Sequence, residues 1–316
     1  MTAPADVSVV MPAYRNAATI GRALASIAGQ TLPPREVIVV DDGSDDDTVA
    51  VVKAMARRMG PVRLRLFTQP NQGAGAARNR AVAVAGGTWL AFLDADDQWL
   101  PTKLERSLAE SDGLVMTSHN LINVAPDGTE SYNDSRARWR RDPADPYRTL
   151  FLRGFISSST VLVRREALVA AGGFDETLRS AQDYEMWLAV LAGAGDRFRT
   201  FGDPLLRYTL APDGITSRID RKVACSLAIL RRHMGILRRR PGPVLRLVVL
   251  RAAIIHYEAI QAYRGRGQTG RAALELLRFP FRLAGLLAAL PFARGERPDF
   301  LACPNPDCVE VPLCAG

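Results

Sequence analysis

EVIVVDDGSDDDT, residues 36–48, sets an unbroken aliphatic run directly against a cluster of carboxylates. Val37 to Val40 are all β-branched, the pattern of a strand covered on both faces rather than one half-exposed. Asp41 and Asp42 fall at its carboxyl end. Ser44 and Asp47 are spaced as a capping box, and Asp45 to Asp47 suit the positive end of a helix. A buried strand running straight into a helix is the repeating unit of a parallel α/β sheet.

The unit recurs on either side. Val7 to Met11 is another buried run, and Ile20, Leu24 and Ile27 follow at helical spacing. The helix after Asp47 is expected to run through Met59. VRLRLF (62–67) alternates like a more exposed strand. QGAGAARNRAVAVAGG (72–87) opens with glycines, continues as a helix and stops at Gly86-Gly87. TWLAFLD (88–94) is the next buried strand, and Pro101 falls where a helix starts. Strand and helix thus alternate from residue 7 to about 110, which predicts a mostly parallel sheet flanked by helices.

Farther on the pattern loosens. LVMTSHNLI (114–122) reads as a strand and Asp127-Gly128 as a turn. Residues 134–150 are charged and Pro-bearing, as in an irregular loop. REALVAAGG (165–173) and QDYEMWLAVLAG (182–193) read as helices, and RFRTF (197–201) as a short edge strand. From about residue 221 to Pro291 the chain reads as helical.

Charge is unevenly spread over the 316 residues. Residues 221–316 hold 16 Lys/Arg and 6 Asp/Glu, a net +10, which leaves 25 against 27 in the first 220. A near-neutral body with a basic tail suits contact with a polyanion, either nucleic acid or an anionic membrane. Sparse aromatics and the lack of a recognition motif argue against nucleic acid. MTAPADVSVV carries no basic segment followed by an apolar one, so no secretory signal is read. Four cysteines do not make a disulfide framework, and a cytoplasmic location is expected. Leu283 to Ala293 falls short of the ~20 residues of a bilayer span.

FLDADDQW (92–99) raises the chemical question: Asp94, Asp96 and Asp97 crowd together, and like charges this close disfavour ionisation unless a cation or donor joins them. In doubly wound sheets ligands bind beyond the carboxyl ends of the strands. Pro12-Ala13-Tyr14, Asp41-Asp42 and Asp94 to Asp97 all occupy such ends and can face one crevice. Carboxylates there can accept from ribose or base, or hold a hard divalent cation.

Taken together, SVVMPAYRNAATIGRALASIAGQT, VIVVDDGSDDDT, NQGAGAARNRAVAVAGGTWLAFLDADD and AGGFDETLRSAQDYEMWL closely resemble the inverting family 2 glycosyltransferases of the GT-A fold, over roughly residues 7–210. The resemblance implies an α/β nucleotide-binding sheet flanked by helices. It puts Pro12 and Tyr14 at the rim of a nucleotide pocket, Asp42, with Asp41, on the base, Arg78 on the nucleotide and Asp94 near the ribose. Asp96 would hold Mn²⁺ or Mg²⁺ bridging the diphosphate, with Asp97 orienting the loop behind it. The implied reaction transfers a sugar from a nucleotide diphosphate donor to a hydroxyl of a glycan or lipid-linked acceptor, with inversion. The attacking hydroxyl must lose its proton, and the resemblance assigns that task to Asp183. Gln182 and Ala189 depart from the family pattern, which expects Glu and Arg there.

The implied organisation is a catalytic domain over 1–220, with a nucleotide-sugar half to about 112 and an acceptor half from about 113 to 220. A basic amphipathic helical tail follows over 221–316. In the tail, Arg271, Glu275, Arg278 and Arg282 form one polar stripe beside Leu274, Leu276, Leu277 and Phe281, and Pro280 is expected to kink the helix. Such a segment can lie on an anionic membrane. His119, His233 and His256 are scattered and read as structural. Cys303, Cys308 and Cys314 lack zinc-ligand pairing, and GAGAAR lacks the dinucleotide fingerprint. Two other functions are compatible with these residues. One is a non-catalytic nucleotide-sugar-binding or membrane scaffold protein on the same fold. The other is a phosphotransferase using Asp94 as nucleophile, which leaves Asp42, Arg78 and Asp183 without roles.

Overall fold

Alternation along the buried strands divides the core into two layers. In β1 (Ala5–Ala13), Val7, Val9 and Met11 point to one face and Val10 to the other. Likewise β2 (Pro34–Asp41) sends Val37 and Val39 one way and Ile38 and Val40 the other, and β4 (Trp89–Phe92) splits Ala91 from Leu90 and Phe92. Strands apolar on both sides need a helix on each face. On one face lies α1 (Ile20–Ala28), whose buried Ile20, Ala23, Leu24 and Ile27 make a single helical stripe, together with α2 (Thr48–Met55). The other face carries α3 (Ala74–Val84) and α8 (Gln182–Ala194).

The computed structural model describes residues 4–140, 145–195, 197–210, 218–301 and 308–313. Its sheet runs β10-β3-β2-β1-β4-β8-β6-β9-β5, where β3 is Arg63–Thr68, β5 Gln98–Trp99, β6 Met116–Val124, β8 Leu162–Arg164, β9 Phe198–Thr209 and β10 Val309–Val311. The four strands β3, β2, β1 and β4 are parallel, so the ends of β1, β2 and β4 open on the same edge. Antiparallel pairing enters at β8 and at β10. The Asp127-Gly128 turn closes a hairpin between β6 and β7 (Glu130–Asn133). Gly87 stops the chain after α3 where the backbone of β1 comes close: a Cβ there would lie 2.6 Å from the Ser8 nitrogen.

Several expectations are corrected. The 134–150 stretch contains two helices, α5 (Ser135–Trp139) and α6 (Pro146–Arg153), each capped by an aspartate: Asp134 accepts from Ala137 N and Asp145 from Arg148 N. RFRTF opens a 12-residue strand, β9, which lies inside the sheet between β6 and β5. Its Gly202 and Pro204 hid its length; the register with β6 shifts just there. The capping box before α2 does not form. Asp47 is the N-cap without a side-chain bond, and Ser44 Oγ accepts from Arg15 N instead. The helix itself stops at Met55, followed by a tight turn to Arg58, and α4 (Lys103–Ala109) starts two residues after Pro101. Beyond α7 (Arg165–Ala170) and α8, the basic region forms α9 (Ile219–Arg238), α10 (Val244–Gly265) and α11 (Thr269–Ala289). Helix α9 starts at Ile219, and all three helices share the apolar layer built on α8.

The stripe Arg271–Glu275–Arg278–Arg282 proves to be no uniformly solvated face. Glu275 is buried and receives Arg282, with His256 of α10 at 3.6 Å, while Leu276, Leu277 and Phe281 point outward. All three histidines are buried, His233 against the Tyr147 hydroxyl and His119 on the Asn120 carbonyl. Cys308 is buried and Cys225 half-buried, both as free thiols; Cys303 and Cys314 lie outside the described residues. Among the described residues, no helix is long and apolar enough to cross a membrane.

Candidate active site

The strand ends of β1, β2 and β4, the glycine-rich start of α3 and the start of α8 enclose a cavity of about 540 Å³. Pro12, Tyr14, Asp42, Arg78, Asp94, Asp96 and Asp183 all line it. Asp41 does not; it is buried in the turn, where its Oδ2 accepts from Ser44 N. Its neighbour Asp42 accepts from Gln72 N and Gly73 N and from the Gln69 amide, which pins the loop leading into α3. Gly73 sits there at φ +96°, a conformation that only glycine adopts without strain.

Arg78 joins the two acidic centres. Its buried guanidinium donates to Asp94 Oδ1 at 2.6 Å. Burial alone would lower its pKa, but Asp94 and Asp183 together hold it above the ordinary value. An Asp94 so engaged is poorly prepared to act as a nucleophile. The Asp96 carboxyl is pushed up to about 6, first by burial and then by Asp94. Asp97 is raised well above the usual carboxylate range, by burial and by both neighbours, and is clamped behind the loop by Ser159 Oγ and Thr209 N.

Ser159 was not foreseen from the sequence. Its hydroxyl donates to Asp97 Oδ2 and accepts from Asp94 N, and its carbonyl accepts from the Trp99 indole. A serine in the run Ser157 to Thr160 carries no local signal of that task. Thr209, at the end of β9, likewise donates to the Asp96 carbonyl.

Asp183 lies in the first turn of α8, where the helix dipole favours a carboxylate. It accepts from Ser158 Oγ at 3.2 Å and from Tyr184 N. Burial raises its pKa and Asp94 adds to the rise, while Arg78 opposes both. The residue before the helix, Ala181, has φ +59°, an unfavourable geometry for a residue with a Cβ. An aromatic cluster sets the spacing between acidic loop and helix: Trp187 of α8 packs edge-on against Phe92 of β4 at 5.2 Å and Phe174 at 5.7 Å.

A divalent cation fits this donor set. Asp96 faces the cavity, its carboxylate accepts no hydrogen bond from another of the described residues, and its oxygens suit Mg²⁺ or Mn²⁺. Among the described residues no group of three or more potential metal ligands assembles. The remaining ligands would then have to be substrate oxygens and water, the usual arrangement for Mg²⁺.

Strand ends converging on a cavity with acidic residues and one buried arginine are the arrangement expected of a GT-A glycosyltransferase. The sequence model of glycosyl transferase family 2 matches residues 8–169, and the chain belongs to that family. It is 34% identical over 251 residues to the succinoglycan biosynthesis protein ExoO of Rhizobium meliloti, covering 72% of this chain and 69% of that one. It is 28% identical over 214 residues to the Escherichia coli UDP-Glc:alpha-D-GlcNAc-diphosphoundecaprenol beta-1,3-glucosyltransferase WfgD, covering 67% and 79%. Among solved structures, the mannosyltransferase PcManGT of Pyrobaculum calidifontis, in complex with GDP-Man and Mn²⁺, superposes with a TM-score of 0.61 at 21% identity, over 91% of this chain and 81% of that one.

Proposed function

We propose that the protein transfers a sugar, with inversion, from a nucleotide diphosphate donor to a hydroxyl of a glycan or lipid-linked acceptor in surface polysaccharide synthesis. The observation that carries the proposal is that one cavity holds both Asp183 and the Asp94–Asp96 pair, with Arg78 charge-coupled to each. The roles of relatives point the same way, ExoO by its part in succinoglycan synthesis and WfgD by its diphosphoundecaprenol-linked acceptor.

In this reading Pro12 and Tyr14 border the nucleotide, Asp42 reads the base through the acceptor capacity left after its loop contacts, and Asp94, steadied by Arg78, receives the ribose. Asp41 supports the turn behind them. Asp96 would hold a Mg²⁺ or Mn²⁺ ion, which offsets the negative charge that develops on the departing diphosphate. Asp183 takes the proton from the attacking hydroxyl. Burial strengthens it as a base, while Arg78 and the helix dipole favour its ionised form. Expulsion of the diphosphate on the face opposite to attack gives inversion. The basic helical region, with its outward Leu276, Leu277 and Phe281, would hold the enzyme peripherally at the cytoplasmic face of an anionic membrane, where lipid-linked acceptors reside.

Calorimetry with UDP, GDP, dTDP and CDP, with and without Mn²⁺, tests the donor site. One nucleotide should bind in a metal-dependent way, and Asp96→Ala should abolish the metal dependence. Asp183→Asn should keep that binding and lose transfer by about 10²–10⁴-fold, the usual contribution of a general base. No nucleotide binding under any condition sinks the proposal, and full transfer by Asp183→Asn removes Asp183 from its role.

A further inference from the structure

Asp183 borders a second cavity as well. This one, of about 350 Å³, lies between β6, the turn after α6, and helices α9 and α10. Ser180, Ala181, Asp183 and Tyr208 line both cavities, so the proposed base stands where the two meet. If the donor occupies the first, an acceptor whose hydroxyl reaches Asp183 has its remaining atoms in the second.

The walls of the second cavity carry four cations, Arg138, Arg153, Lys222 and Arg251, against only Asp183 and Glu258. Glu258 is taken up by Lys222 at 3.3 Å. Among the described residues, Arg138 and Arg153 have no carboxylate partner. Arg251 has none either, although it is 7% exposed: it donates to the Leu152 carbonyl and lies over the Tyr184 ring. A buried guanidinium without a counter-charge is costly, and an anion in the cavity would relieve that cost. Arginine's planar fork also matches the geometry of phosphate oxygens. A neutral glycan gives these side chains nothing to bind with comparable strength. Leu121, Phe155, Ile156 and the Tyr184 ring supply the apolar surface beside them.

We infer that this second cavity is an acceptor subsite built for a sugar carried on a phosphate or diphosphate ester. The anionic group is held by Arg138, Arg153 and Arg251, and the attacking hydroxyl is turned toward Asp183. The inference rests on the proposed transferase reading for the role of Asp183 but not for the presence of the anion site.

A matched pair of probes tests it: octyl glucosyl phosphodiester and octyl glucoside, which differ by one phosphoryl group. Each is titrated calorimetrically into the full chain, with and without saturating nucleotide and Mn²⁺, beside inorganic phosphate alone. The phosphodiester should bind about tenfold or more tightly than the glucoside, with the donor site filled or empty. Arg138→Gln with Arg153→Gln should erase most of that preference, since a hydrogen bond to a charged group contributes about a factor of ten or more, and should leave nucleotide affinity unaltered. Arg251→Gln should act similarly, and because a buried substitution can unfold the chain, the two exposed positions carry the test. Equal affinity for the two probes overturns the inference. So does a preference that survives the double substitution, displacement of the phosphodiester by nucleotide, or binding of inorganic phosphate as tight as that of the ester. Failure of nucleotide to bind counts against the donor site alone, since the probe preference is read without it.

Discussion

Burial and the adjacent Asp94 raise the Asp96 carboxyl from 3.8 to about 6, so the fold prefers the proton that a metal ligand must shed. In the metal-free protein this contributes stability that is present below pH 4 and lost as pH rises through 6. The loss is of order 1–2 kcal/mol once partial exposure is allowed for. Asp96→Asn should therefore melt a few degrees higher than the parent at pH 8 and at nearly the same temperature at pH 4, as read by thermal denaturation with chelator. Mn²⁺ affinity of the parent should climb between pH 5 and 7 and then level off, as proton competition ends. An unchanged melting temperature at both pH values would mean that the carboxylate is not strained by its neighbours. At this scale the lining of the candidate cavity was largely legible: Pro12, Tyr14, Asp42, Arg78, Asp94, Asp96 and Asp183 converge on it. Asp41 was not separable from Asp42, because adjacent strand residues point to opposite sides and the sequence alone does not say which side is the crevice. Ser159 stayed hidden because its contacts to Asp94 and Asp97 span more than 60 residues of chain.

Distances between elements depend on what is packed between them. The span from the acidic loop to Asp183 rests on Trp187, which is fully buried and meets Phe92 and Phe174 edge-on. Replacing it with alanine should cost about 3–5 kcal/mol, the usual range for removing a buried large aromatic. Trp187→Phe, which keeps a ring in place, should cost less, and should lower transfer more than donor affinity, because the misplacement falls on Asp183 and not on the nucleotide contacts. Chemical denaturation and a comparison of kcat with KM for donor measure both effects. If the phenylalanine variant loses donor affinity alone, the cluster does not set the base. Apart from the two-residue β5, the strands and helices up to residue 110 were legible, because strands covered on both faces leave unbroken aliphatic runs and helices buried on one side leave a period in the sequence. The first turns of α5 and α6 were not, since Asp134 and Asp145 cap them from within a charged, Pro-bearing stretch. For β9 only RFRTF was read as a strand; Gly202 and Pro204 lie beyond it, and the sheet interior absorbs them through a register shift.

Over the whole molecule, the basic region raises the question of which surface its helices leave uncovered. A helical wheel of α11 gives one ionic and one apolar stripe, and the ordinary rule would turn the apolar one inward. Here Glu275 draws Arg282 and His256 into the contact with α10, so Leu276, Leu277 and Phe281 stand 62%, 66% and 80% exposed, with Phe292 at 82% just beyond. They belong to a segment, residues 221–316, with net charge +10. Exposed apolar side chains on a cationic segment match the boundary of an anionic bilayer, where each arginine contributes about 1 kcal/mol and each buried CH₂ about 0.8 kcal/mol. The full chain should therefore float with phosphatidylglycerol-containing vesicles, bind pure phosphatidylcholine weakly, and release with salt. Leu277→Ser with Phe281→Ser should lower vesicle binding about tenfold or more and leave nucleotide binding in solution unaltered. Equal partition of parent and variant would mean that the face meets something other than lipid. A second copy of the chain would then be the next occupant to test, through the dependence of oligomeric state on the same two substitutions.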